Sequence, residues 1–521
     1  MATSIHDSLV EIDKIIGGTK NVSPGDFELK VCEMHHGDSA THTIAEQVVS
    51  LHLFEDIETI GVHGWLDMED DLNIIESGLI IGEELLYLKF GTGGTREAGI
   101  DSYFDVDYTK HPLYIYGIEN LGIKAHNAGR TLPGLTYRLH FCSTELIKDS
   151  RIRVSKTYKG QYNNIVKDVL ENELKTIKKI YTEDTIGIKH IISPNMRPFD
   201  FIRTIIPSSQ AKEVPPPSDF GGAGKFGRSS GKLGQDQLFK GRRSDYGFYE
   251  TVTRTDDSGG FHFKPLNIKA DSTLTFGLVV QESTLTPGGA PVAGDLGWGF
   301  PGAMLRSLNF KMIDNGNKYK TIRSGTWASK IITHDTTTKS YDVYKSDYLK
   351  QLKHLRFSHI SQTPSYEGKD IGKPFSEWPD GATRFNSSSS KSISSIGSGV
   401  RAEYPWGTAS FQGDTTQLHR QMQLGHLLGF QRLEITLPGI SGLNVGMAAF
   451  CDWPSIGERG GQPPHGKRLW EARNDNVWLI TKVAHLINVK HETPSYNCKV
   501  QLANTMSVAG QVLPKYGKLG K

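Results

Sequence analysis

Cysteine is scarce in this chain. Only four occur in 521 residues, Cys32, Cys142, Cys451 and Cys498. Their spacing matches no zinc-ligand pattern, and a chain of this length does not need disulfide staples. They read as reduced thiols in a protein that folds in a cytoplasm. An excess of charge of one sign is also missing: 59 Lys and Arg stand against 57 Asp and Glu, for a net charge of +2. That balance supplies no basic field of the kind that holds a phosphate backbone, which argues against a sequence-specific nucleic-acid partner. No apolar run is long enough to span a bilayer, so membrane insertion is not expected. The opening "MATSIHDSLVEIDKIIGG" has no basic region followed by an apolar stretch, so a secretory signal is not expected either. A role outside the cell would then require release by lysis or assembly into a larger particle.

What is present is glycine and short β-branched segments. Glycine occurs 56 times, the hydrophobic set makes up 37% and charged residues 22%, a globular composition with room for about three or four domains. From about 25 to 145 one strand pattern follows another. "FELKVCEMH" is read with Phe27, Leu29, Val31 and Glu33 on one face, and Leu86, Leu88 and Phe90 alternate with Tyr87 and Lys89. "QYNNIVKDVLENELKTIKKIY" puts Ile165, Val166, Val169, Leu170, Leu174 and Ile177 on one helical stripe. Lys167, Lys175 and Lys178 are assigned to its polar side. "SPNMRPFDFIRTII" reads as a second helix, with Pro198 in its first turn and Pro207 ending it. Residues 208–245 and 363–416 are rich in Gly, Ser and Pro or Ser, and read as a mobile loop and an irregular insertion. β patterns return near the end, where Leu433, Ile435 and Leu437 share one face of a strand and Tyr496, Cys498, Val500 and Leu502 one face of another. "GLIIGEELLYLKF" (78–90) and "GLNVGMAAFCDW" (442–453) echo each other, as a duplicated β domain would leave them.

No constellation of catalytic, cofactor-binding or metal-binding residues emerges, so no residue is assigned to any of these roles and no cofactor is expected. Asp67, Glu69, Asp70 and Asp71 in "LDMEDD", with Glu83 and Glu84, lack calcium-loop spacing and read as a solvated acidic turn. His35, His36 and His42 sit in no zinc framework, and His485 reads as a structural strand histidine able to donate to a backbone carbonyl. There is no GxSxG elbow. "GTGGT" (91–95) lacks the Lys-Ser/Thr pair of a phosphate loop and reads as a hairpin tip. In "GFYETVTRTDDSGGFHFKPL" (247–266), Asp256 to Gly260 supply turn chemistry between two aromatic-rich strands. His262 falls between two strand aromatics and faces away from them, a histidine in a structural hairpin.

That hairpin carries a resemblance. "FYE…GFHF" is similar to an element of the baseplate central hub proteins of contractile-tailed phages, of the cyanophage type. "YRLHFCSTELIKDSRIRVSKTYKGQYNNIVKDVLENEL", "GTWASKIITHDTTTKSYDVYKSDY", "LEITLPGISGLNVGMAAF" and "WLITKVAHLINVKHETPSYNCKVQLAN" resemble further hub segments and keep their order. The resemblance implies a β-rich α+β fold of two tudor-like small β-barrels with α+β insertions, assembling as a pseudo-six-fold trimeric ring. The implied divisions are an arm at 1–24, a first barrel at 25–145 and an α+β middle domain at 146–317. A second, discontinuous barrel takes 318–345 and 431–510, around an insertion at 346–430, with a tail at 511–521. The implied role is non-enzymatic: a homotrimeric, late-expressed virion protein, assembled in the host cytoplasm, that joins the tail tube to the cell-puncturing spike. Its implied partners are the tube protein, a spike protein that can carry a lysozyme domain, and wedge or other hub proteins. Two alternatives compete. A type VI secretion-like spike needs an OB-fold and a repetitive β-helix, neither of which leads from "VLPKYGKLGK". A glycan-binding or murein-degrading tail protein needs a catalytic Glu in a helical domain.

Overall fold

The computed structural model describes residues 25–37, 40–71, 74–75, 80–92, 105–123, 134–212, 244–266, 276–279, 307–315, 328–335 and 340–347. It also describes 365–366, 369–370, 384–388, 420, 424–425, 428, 431–452, 477–490 and 495–504. Most of the expected loop at 208–245 and of the insertion at 363–416 lies outside them, as do residues 93–95 of the Gly-rich tip. The fold is β-rich with few helices.

The first unit is built from β1 (Phe27–His36), β2 (Ala40–Thr43), β3 (Val48–Asp56), β4 (His63–Asp70), β5 (Leu85–Thr92), β6 (Val106–Asp107), β7 (Leu113–Ile123) and β8 (Leu135–Ser143). Period-two alternation buries Leu51 and Leu53 of β3, Leu66 and Met68 of β4, and Leu86, Leu88 and Phe90 of β5. The expected face of β1 is displaced: a bulge between Leu29 and Val31 shifts the register, so Cys32 and Met34 point inward instead of Val31 and Glu33. "LDMEDD" is not a solvated turn. Its first five residues end β4, and the same alternation leaves Asp70 fully buried, with Asp67 paired to Arg138.

A middle α+β unit follows: α1 (Thr144–Arg151), β9 (Thr157–Gly160), α2 (Tyr162–Asp168), β10 (Lys179–Thr182), β11 (Lys189–Ile192), α3 (Pro198–Ile205), β12 (Tyr246–Thr251) and β13 (Gly260–Pro265). The expected stripe of α2 holds as far as Leu174, but α2 widens into a π-helical turn over Val169–Glu173 and Lys175 takes a φ of 51°. The chain reverses there, and the last two expectations invert: Ile177 is 74% exposed and Lys178 only 4%. Pro198 opens α3 and Pro207 sits in the 3₁₀ turn that closes it.

Strands β14 (Phe276–Val279), β15 (Asn309–Asn315), β16 (Ala328–Asp335), β17 (Ser340–Asp347), β18 (Ser365–Tyr366), β19 (Lys369–Asp370), β20 (Arg384–Ser388), β21 (Gln431–Pro438), β22 (Ala448–Asp452), β23 (Val477–Asn488) and β24 (Ser495–Asn504) complete the strands among the described residues. β14 and β15 fall inside the expected middle segment yet pair into the large sheet, whereas β16 and β17 pair with each other and β16 with β20 in a separate sheet. The sequence pattern gives each strand's period, and the pairing partner depends on contacts far along the chain.

The large sheet runs β15-β21-β24-β23-β3-β4-β8-β7-β5-β1-β2, with β22 on β23 and β14 on β22. Read as two halves, it repeats itself. The first half uses β1, β3, β4, β5, β7 and β8, and the second β14, β15, β21, β22, β23 and β24. Numbering each half's strands one to six in chain order, both have the spatial order 2-3-6-5-4-1. Finer details coincide. The fifth strand of each half carries a bulge at the same place, between Ile115 and Gly117 in β7 and between Ile480 and Lys482 in β23. The echoing glycines, Gly82 and Gly446, both adopt positive φ (90° and 78°) just before the fourth strand. One pairing differs: the first and fourth strands are antiparallel in the first half and parallel in the second. The halves join where β3 pairs antiparallel with β23, from Ser50↔Asn488 to Asp56↔Lys482. One apolar core runs through both halves, and a second fills the middle unit.

Candidate functional site

β12 and β13 form the antiparallel hairpin that the aromatic pattern predicts, with Phe248 opposite Phe263 and Tyr249 opposite His262. Its turn contains Asp257 at a φ of 60° and Gly259 and Gly260 at 97° and 127°. A Cβ at Gly260 would lie 2.2 Å from the Lys179 carbonyl oxygen of β10, which pairs parallel with β13. Strand alternation then splits the hairpin between two cores. Tyr246, Phe248, Phe261 and Phe263 enter the middle-unit core, while Tyr249, Val252 and Leu266 enter the core of the large sheet. The hairpin is therefore the joint between the middle unit and the double sheet.

Buried charges line this joint. Lys178 Nζ lies 2.6 Å from Glu145 Oε2, 2.6 Å from Glu250 Oε1 and 2.5 Å from Ser143 Oγ. Glu250, on β12, accepts the Val62 amide at 3.1 Å through its other oxygen, and Thr176 donates to Glu145 at 2.8 Å. Burial by itself would raise the Glu145 carboxyl, but Lys178 and the hydroxyls of Thr176 and Ser143 hold it down at about 2. Burial, reinforced by Glu145, pushes Glu250 up against the pull of Lys178. Burial works to lower Lys178 as well, yet the two carboxylates outweigh it and keep the amine above the ordinary lysine value.

A second set closes the other side of the hairpin. Glu55 of β3 accepts the amides of Val252 and Val445, each at 2.9 Å, tying together the first half, the hairpin and the second half. Burial lifts its carboxyl to about 7 despite those amides and the nearby Arg254. Arg254 donates to the Gly442 carbonyl and, at 2.7 Å, to Asn444 Oδ1. Asp107 and Thr253 exchange backbone and side-chain hydrogen bonds, and His111 meets Asp257 at 3.3 Å. Gly446 needs its missing side chain here, because a Cβ would sit 2.1 Å from the Tyr249 hydroxyl.

The histidines are absorbed into packing. His262 stacks between Tyr181 and Tyr249, at centroid distances of 4.7 and 5.1 Å, and its Nε2 meets Thr251 Oγ1 at 3.0 Å. Burial pushes its pKa down to about 3. His485 is fully buried with Nδ1 2.8 Å from the Tyr496 hydroxyl, a different partner from the carbonyl expected, and burial lowers it too to about 3. His36 meets Glu84 at 3.3 Å, and Glu84, far from solvated, accepts the amides of Ile81, Gly82 and Glu83. Cys32, Cys142 and Cys498 are buried free thiols.

Ser143 beside Lys178 has the makeup of a Ser–Lys hydrolytic pair, whose lysine must lose its proton to serve as base. Here two carboxylates keep the lysine charged and Ser143 is fully buried. The cluster is chemically a lock. Among the described residues no group of three or more His, Cys, Asp or Glu side chains could hold a metal ion, and no helix is long and apolar enough to cross a membrane. The sequence did carry a signal for the joint: Glu55 in "LHLFED" and Glu250 in "FYETV" interrupt otherwise apolar strand stretches, and a carboxylate in such a position needs partners.

No protein-family model and no curated protein matches the chain. Among solved structures it is similar to the 43 kDa tail protein of prophage MuSo2 from Shewanella oneidensis, at 7% identity over 91% of this chain and 98% of that one, with a TM-score of 0.45. It is also similar to a tail protein from Neisseria meningitidis MC58, at 8% identity over 92% and 97%, with a TM-score of 0.46. A third is the E. coli c3393 protein, a type VI secretion component, at 9% identity over 92% and 76%, with a TM-score of 0.37.

Proposed function

We propose that this chain is a structural central hub of a contractile phage tail, a homotrimeric adaptor between a six-fold tail tube and a three-fold spike. The observation that carries it is the duplication within the large sheet: two six-strand units of order 2-3-6-5-4-1, with a shared bulge and a shared glycine turn. Two related small barrels, tudor-like in the family the sequence resembles, give three copies six similar units. Such a ring offers six quasi-equivalent contacts to a tube while keeping true three-fold symmetry for a spike. The sequence resemblance at the hairpin supports the same reading, because the hairpin locks the middle unit onto both halves. On this proposal the chain has no catalytic activity of its own and resides in the virion.

The test is assembly. The purified chain is expected to form trimers that bind the end of a tail tube from the same phage, and to leave purified peptidoglycan intact. Release of muropeptides by the chain would favour the murein-degrading alternative instead.

A further inference from the structure

Within one chain, the second strand of the first unit (β3) pairs with the fifth strand of the second unit (β23). β23 is covered by β24 along one edge, and its other edge is shared, with β22 over Val477–Leu479 and β3 over Lys482–Asn488. The equivalent fifth strand, β7, is likewise covered by β8 along one edge, while β5 takes only Leu113 and Tyr114 of the other. From Tyr116 to Ile123 that edge has no strand partner among the described residues. The equivalent second strand, β15, pairs among the described residues only with β21. Each unit thus has a second-strand edge and a fifth-strand edge, and one of each is used internally.

We infer that the β7 edge of one copy pairs antiparallel with the β15 edge of a second copy, reproducing the internal β3–β23 seam. The apolar exposure supports this choice. Of the ten large hydrophobic side chains exposed among the described residues, five lie on or beside these two strands. They are Tyr116 (50%), Ile118 (37%) and Ile123 (75%) on β7, Ile313 (44%) on β15, and Leu308 (39%) next to it. An apolar sheet edge left open invites uncontrolled pairing, so a defined occupant is the physical expectation. The contact joins unlike edges, so it is head-to-tail, the kind of contact from which the ring proposed above is built when its rotation closes.

The internal seam also supplies the register, taken beyond a second β7 bulge between Glu119 and Gly122 that β23 lacks. Gly122 faces Thr136 of β8 as Leu486 faces Asn497 of β24, and Lys311 faces Glu434 of β21 as His52 faces Trp65 of β4. Leu486 and His52 are paired in the seam. Gly122 of one copy therefore falls opposite Lys311 of the next, with Cα atoms about 4.5–5.5 Å apart, within disulfide range.

The inference rests on the ring proposed above for the number of copies, and on the duplication for the edges. The test is oxidative cross-linking of the full chain carrying Gly122→Cys and Lys311→Cys together, alongside each single variant and the unmodified protein, with native mass measured in parallel. The expected result is a covalent species of the native copy number, formed only by the double variant. Ile123→Asp, at an exposed position, is expected to lower the native mass to that of one chain. A native trimer with no cross-link in the double variant, or an undiminished trimer with Ile123→Asp, would overturn the edge assignment and leave the hub reading standing. A chain that stays monomeric at tens of micromolar, with no cross-link, would overturn both.

Discussion

Replacing Lys178 by Met would leave Glu145 and Glu250 facing one another with no cation between them. In the protein all three side chains are at most 4% exposed, and the amine lies within 2.6 Å of both carboxylates. Removing one partner of such a buried cluster costs about 3–5 kcal/mol, because the charge left behind stays desolvated. Met has a similar volume, so little of the loss comes from a cavity. The assay is urea unfolding followed by tryptophan fluorescence and far-ultraviolet circular dichroism at pH 7.5, read for the transition that involves the middle unit. The loss is expected to shrink towards pH 5, as the orphaned carboxylates take up protons. Adding Glu145→Gln and Glu250→Gln to Lys178→Met is expected to recover most of it. A loss below about 1 kcal/mol, the range of an exposed ion pair, would refute the view that this cluster locks the hairpin to the double sheet.

Further outcomes concern the core of the large sheet and the joint. His485 keeps a folded pKa of about 3, below its ordinary value of 6.5. Its contribution to stability is therefore intact above pH 6.5 and declines as pH falls through the window down to 3, because the unfolded chain gains a proton that the folded chain refuses. At pH 5 the loss from this residue is about 2 kcal/mol, and His485→Phe is expected to flatten the acid limb of a stability–pH curve; an unchanged slope would contradict its burial as a neutral base. Gly446→Val drives a side chain into the Tyr249 hydroxyl, and should cost several-fold more in unfolding midpoint than Gly37→Val, which shares the backbone strain of a positive φ (58°) but meets nothing within 4 Å. Deleting residues 256–260 removes the Asp257–Gly260 turn; it is expected to abolish soluble folded chain or assembly, and normal assembly of the deletion would count against the hairpin as joint.

Much of the double sheet was legible in the sequence because strand periodicity is local. Leu86, Leu88 and Phe90, or Tyr496, Cys498, Val500 and Leu502, declare their buried face without reference to any partner. What was not legible depends on events that periodicity cannot register. The bulge at Leu29/Val31 reverses a face, and the left-handed Lys175 turns Lys178 from an expected surface lysine into the centre of the buried cluster. The joint itself brings Glu55, Arg254 and Asn444 together from three distant segments, a long-range arrangement with no sequence signature beyond misplaced charges. The hairpin was readable because its turn residues and its aromatic pairs both lie within twenty residues of chain.

The claim on which the account turns is that two like units in each chain make a ring of six from three copies. Averaged electron-microscope images of the purified chain, combined with native mass, test it directly. The account predicts particles of three 57.7-kDa chains whose axial views show six similar lobes around a hole. Single chains, or an axial view in which the two halves of each chain do not lie on a common ring, would contradict it.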